Sequence, residues 1–116
     1  MLKVNQKMDL KELLKEAKKV KSAYSKLNKK TGKKEWGVAQ YAQGFVGDIG
    51  DLSKLIMVKE GFRIGENVDE KLAHELSDCL WSILIIADEL DVNLEKEYLK
   101  TMKSLLGQIK AKGDKK

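Results

Sequence analysis

Apolar residues recur along the chain at the three- and four-residue spacing of helix faces, and no segment alternates in the two-residue period of a strand. The first stripe, Leu10, Leu13, Leu14, Ala17, Val20, Tyr24 and Leu27, predicts a helix over about 9–29. It opens on "DLKE", where Asp9 and Glu12 have capping-box spacing. It stops at "NKKTGKKEW", in which Asn28, Thr31 and Gly32 mark a turn. A second stripe of Val38, Tyr41, Ala42, Phe45, Ile49, Leu52 and Ile56 predicts a helix over about 35–60. After the break "EGFRIGENVD" a third helix is predicted over about 69–90, capped by Asn67 or Asp69. Its stretch "CLWSILIIA" is apolar on nearly every side. A helix of that kind is buried all round, and one small chain can hardly surround it, so a partner subunit is expected to cover part of it. The fourth helix, over about 94–110, has Asn93 as its expected cap. Its narrower stripe is Leu94, Tyr98, Met102, Leu105 and Ile109, and a frayed basic tail is expected over 111–116. The elements predict an all-α fold, a four-helix bundle in one domain over 1–116.

The length and composition agree with that picture. A chain of 116 residues holds one modest core rather than two, and the lack of proline suits long helices. "CLWSILIIA" is too short to span a membrane, and "MLKVNQKMDL" has no apolar run of the kind a secretory signal needs. The lone Cys79 excludes an internal disulfide, suits a reducing cytoplasm, and is expected in the core. The net charge of +5 conceals an asymmetry: residues 1–34 carry twelve lysines against three acids, whereas residues 35–108 carry seven basic groups against fourteen acids. A basic arm can hold nucleic acid, but a solvated helix face is the plainer reading, and neither nucleic acid nor membrane is expected as a partner. An excess of acids around a buried stripe can hold a cation.

The chemistry concentrates in "GFVGDIGDLSKL", where Gly44, Gly47 and Gly50 recur at every third place beside Asp48 and Asp51. The stretch fits neither phosphate-loop pattern, no strand precedes it, and it lacks the order of a calcium loop. His74 is the only histidine, which argues against histidine-rich zinc sites, and it reads as a helix-surface residue. Asp48 and Asp51, three apart, share one helix face, and Glu75 and Asp78 in "HELSD" repeat the device on the next helix. Asp48 and Asp78 are equidistant along the chain from Arg63 in the loop, and so are Asp51 and Glu75. In an antiparallel hairpin the two pairs therefore face each other at matching heights. Asp48 falls in the row Tyr41–Phe45–Asp48–Leu52–Leu55 and Glu75 in the row Val68–Leu72–Glu75–Cys79, within or at the edge of the buried stripes. Four acids that close repel unless a cation sits between them, and an oxygen-rich site of this kind suits magnesium or manganese.

The segments "GFVGDIGDLSKLIM" and "KLAHELSDCLWSILIIADELDVNLE" resemble the MazG-like all-α nucleotide pyrophosphohydrolases, which carry E-E-x-x-E on one helix and E-x-x-D on the next. The resemblance covers roughly residues 36–102. It implies hydrolysis of a nucleoside triphosphate to the monophosphate and pyrophosphate with Mg²⁺ (or Mn²⁺), including house-cleaning of non-standard or deoxy nucleotides. It also implies a MazG-like bundle assembled as a homodimer or dimer of dimers. Asp48 and Asp51 match the second and third acids of the first motif, and Glu75 and Asp78 match the second motif. Gly47 stands where the family has its first acid. On this resemblance Asp48, Asp51, Glu75 and Asp78 hold metal, and Asp48 or Glu75 orients the attacking water. Lys54, one turn beyond Asp51, is the first candidate for a phosphate, with Lys59 and Arg63 nearer the loop. Trp36 is a candidate for stacking on a base, and Trp81 is assigned to the core.

Two other readings stay open on the sequence. One is a catalytically weak relative that binds nucleotide or a partner, having no acid at Gly47. The other is a helical nucleic-acid-binding module built on the lysine-rich first helix.

Overall fold

The structure, a computed structural model, describes residues 8–114. These form four helices with no strand among the described residues: α1 (Leu10–Lys30), α2 (Val38–Lys59), α3 (Val68–Glu89) and α4 (Leu94–Asp114). α1 begins where the Asp9 carboxylate accepts the Glu12 N–H at 2.8 Å, satisfying one of the free donors of the first turn. α2 starts later than the apolar spacing predicts. Glu35 is held by the Ser25 hydroxyl, and the extended Gly37 occupies the cap position, its N–H donating to Gln40 Oε1 at 2.8 Å. α3 begins at Val68, and neither predicted side chain caps it. Asn67 adopts a left-handed conformation (φ 53°) in which its carboxamide makes no cap bond, and Asp69 lies inside the first turn. Asn93 does cap α4, accepting the Lys96 N–H at 3.2 Å. α4 runs on through residues 111–114, where a frayed tail was expected; residues 115–116 lie outside the described residues.

α1, α2 and α3 end in the same way. The N–H two residues past each C-cap reaches back five residues: Lys33 to Asn28 O, Phe62 to Met57 O and Val92 to Ala87 O, each at 2.8 Å. The motif requires a left-handed residue after the cap, and Gly61 (φ 86°) supplies it for α2 without steric cost. At α3 the same place is held by Asp91 (φ 55°).

The loop of residues 60–67 folds α3 back along α2, and this hairpin is the main contact of the fold. α1 lies on α3. The core is Ala17, Tyr41, Leu84 and the fully buried Ile85, with Leu10, Leu13, Leu14, Trp81, Ile86 and Leu94 packed around it. Trp81 is part-buried and donates its indole N–H to Ala17 O at 3.0 Å, and Cys79 is buried, as the apolar run suggests. Edge-on aromatic contacts link Tyr24, Trp81, Tyr41 and Trp36 across α1, α3 and the start of α2. Lys18 with Asp88 and Lys21 with Glu89 pin α1 to the end of α3.

The inward face of α2 is the row Tyr41–Phe45–Asp48–Leu52–Leu55. Ala42, Ile49 and Ile56, expected inside, lie one step round the helix and are exposed. The apolar run of α3 is enclosed at Leu84 and Ile85, while Leu80 and Ile83 remain open to solvent. α4 meets the rest of the chain through Leu94, and every residue over 95–114 is exposed. The radius of gyration is 18.0 Å, against about 13 Å for a compact chain of this length. No helix among the described residues is long and apolar enough to cross a membrane.

Candidate metal centre

Asp48 projects from the inward face of α2 and the exposed Asp51 from its edge, with Glu75 and Asp78 on the facing side of α3. The hairpin brings them together. One carboxylate oxygen from each of Asp48, Asp51 and Glu75 lies within 4.8 Å of the others, and donor atoms of His74, Glu75 and Asp78 form a second such group. Glu75 belongs to both. His74 is exposed, as its surface reading implies, yet its Nε2 lies 3.2 Å from Asp78 Oδ2.

The electrostatics follow from this crowding. Burial raises the Asp48 carboxyl above its ordinary range, and the neighbouring charges of Asp78 and Asp51 add to it. Glu75 is raised likewise, first by burial and then by Asp48, Asp78 and Asp51. His74 opposes both shifts. Cys79, one turn past Glu75, has its thiol pushed up by burial and by the same acids, which makes it a poor nucleophile. Glu75 Oε2 is buried and has no hydrogen-bond partner. A buried carboxylate oxygen without a partner is unfavourable, and a divalent cation among these oxygens would relieve both that deficit and the mutual repulsion. The donor set therefore fits a bound dication.

A cleft of about 660 Å³ opens from the acids toward the α2–α3 loop, lined by Asp51, Lys54, Leu55, Asn67, Glu70, Lys71, His74 and Glu75. Comparison with models of protein families, with curated proteins and with solved structures finds no match for this chain.

Lys54 thus stands beside the acids. Lys59 and Arg63 do not line the cleft, and the Lys59 ammonium instead meets Asp69 Oδ1 at 2.6 Å. Trp36 does not line the cleft either; it is half exposed and packed over Gly44, one turn before Asp48. A side chain at Gly47 would meet open space. Sequence reasoning overlooked Lys71. The signal was present, because Lys71 precedes Glu75 by four residues and so shares its helix face. With carboxylates at one end and two lysines along its wall, the cleft can hold a metal-complexed anion and position water against it.

Proposed function

We propose that this chain is a divalent-metal-dependent nucleoside triphosphate pyrophosphohydrolase of the MazG-like type, acting in the cytoplasm as a homodimer or dimer of dimers. The observation that carries the reading is the pair of donor groups that share Glu75, Asp48–Asp51–Glu75 and His74–Glu75–Asp78, together with the buried Glu75 oxygen that has no partner. These four residues would hold Mg²⁺ or Mn²⁺, which when bound supplies positive charge to offset the triphosphate and to acidify water. Asp48 and Glu75, whose carboxyls are raised above their ordinary range, are the candidates to take the proton of the attacking water. The water oxygen bonds to the α-phosphorus as the bond to the bridging oxygen breaks, and pyrophosphate leaves. Lys54 and Lys71 lie along the cleft where they can meet phosphate oxygens. The exposed part of Trp36, which packs over Gly44 one turn before Asp48 but outside the cleft lining, is the candidate for stacking on a base. Non-standard or deoxy nucleotides are the proposed substrate class.

The homo-oligomer rests on the apolar surface left open on α3 and α4 and on the extended shape of the chain. Gly47 favours a second reading, a binding protein of low turnover, since one acid of the first motif is absent. Pyrophosphate release from a panel of standard and modified nucleoside triphosphates with Mg²⁺ or Mn²⁺ tests the enzyme. The expected result is release from at least one of them, lost in Asp78→Asn. Nucleotide binding without release selects the second reading.

A further inference from the structure

The His74–Glu75–Asp78 side of the site contains a nitrogen donor that a pure magnesium site has no use for. His74 Nε2 and Asp78 Oδ2 are 3.2 Å apart, and an oxygen of Glu75 completes a group whose donor atoms all lie within 4.8 Å. Around a six-coordinate dication with bonds of about 2.1–2.2 Å, neighbouring donors stand roughly 3 Å apart. The His74–Asp78 separation has the length of such an edge. A His–Asp pair one turn apart also occurs as a simple surface contact, but such a contact is complete in itself. Here it abuts Glu75, whose buried Oε2 has no partner. Mg²⁺ prefers oxygen donors and retains its waters, whereas imidazole suits transition metals such as iron, nickel and zinc; Mn²⁺ is the paramagnetic probe of the same site.

We propose that His74 is a metal ligand that biases this site toward transition-metal dications over Mg²⁺. The proposal rests on the metal-site reading above and assigns it a selectivity residue. The test is pulsed electron paramagnetic resonance of Mn²⁺ added to the full chain, which detects nitrogen-14 coupling when an imidazole is bound directly. The wild type is expected to show the coupling and His74→Gln to lose it. In His74→Gln, Mn²⁺ affinity falls on the order of tenfold and Mg²⁺ affinity, read by competition, changes less than about twofold. The His74 side chain is 71% exposed, so its replacement leaves the fold intact, and helical circular dichroism checks this. His74→Ala serves as a second variant. Mn²⁺ bound without nitrogen coupling, with affinity lowered by Glu75→Gln but not by His74→Gln, overturns the role of His74 and leaves the carboxylate site standing. A folded wild-type chain that binds neither metal overturns the site itself.

Discussion

The ring of Trp36 lies so closely over Gly44 that a methyl group there would sit 3.3 Å from it. The same ring meets Tyr41 edge-on at 5.6 Å, so the chain entering α2 is tied to the aromatic contacts of the core. Close approach therefore accounts for Gly44. It does not account for Gly47 or Gly50, whose Cβ positions are open. Alanine at either open position is expected to stabilise the protein by roughly 0.5–1 kcal/mol through helix propensity. Gly44→Ala gains nothing in urea unfolding and alters tryptophan emission. A loss of stability at Gly47 or Gly50 would instead place those glycines against a second molecule.

The acids of the hairpin weaken the fold they sit in. Asp48 and Glu75 titrate above their ordinary values of 3.8 and 4.5, so in that range the folded chain keeps protons the unfolded chain has lost. Their contribution is most favourable at acid pH and falls as the pH rises through the raised values. At pH 7, without metal, Glu75→Gln is expected to raise the melting temperature by about 2–5 °C. Thermal unfolding of the two proteins across that pH range checks the sign. An unchanged or lower melting temperature in the variant contradicts it.

Metal should reverse this penalty. At a hundredfold excess over its dissociation constant, Mg²⁺ or Mn²⁺ adds about 2.7 kcal/mol to the wild type. Asp78→Asn is expected to lose most of that stabilisation and to lower pyrophosphate release on the order of a hundredfold or more. Calorimetry with and without chelator measures the first effect, and a coupled phosphate assay the second.

The left-handed Asp91 offers a test of local geometry alone. Glycine is the residue of choice at this position of the motif, and Asp91→Gly is expected to stabilise the chain by about 0.5–1 kcal/mol. Chemical denaturation of the metal-free protein reads it without reference to function.

Leu105 and Leu106 are 45% and 54% exposed on α4, beside Met102 and Ile109. On the homo-oligomer reading these side chains are covered by another copy. Light scattering is expected to give at least twice the chain mass for the wild type and a single chain mass for the Leu105→Glu, Leu106→Glu double variant. A wild type that is monomeric at high concentration rejects the oligomer.

The helices were legible because their stripes recur at helical spacing, and the facing of the acids because the hairpin is symmetric about Arg63. Where Ile49 and Ile56 point was not legible. Apolar residues ring enough of α2 that the inward row, which runs through Asp48, is settled only when α3 packs against it. Asn67 failed as a cap because closing the loop forces it into the left-handed region, something its residue type permits without specifying. Lys71 was passed over, and His74 read only as a surface residue, for another reason: a polar residue on an exposed helix face gains its meaning from what stands beside it in the folded cleft.

The free length of α4 has a consequence for how the protein comes to be ordered. Helices in proteins draw most of their stability from the packing of one face, and α4 borrows almost no such support from its own chain beyond Leu94. On the homo-oligomer reading a second copy supplies the rest of its support, and ellipticity per residue is expected to climb as the sample is concentrated. On that reading the quantity of protein present becomes an input to how firmly α4 is held.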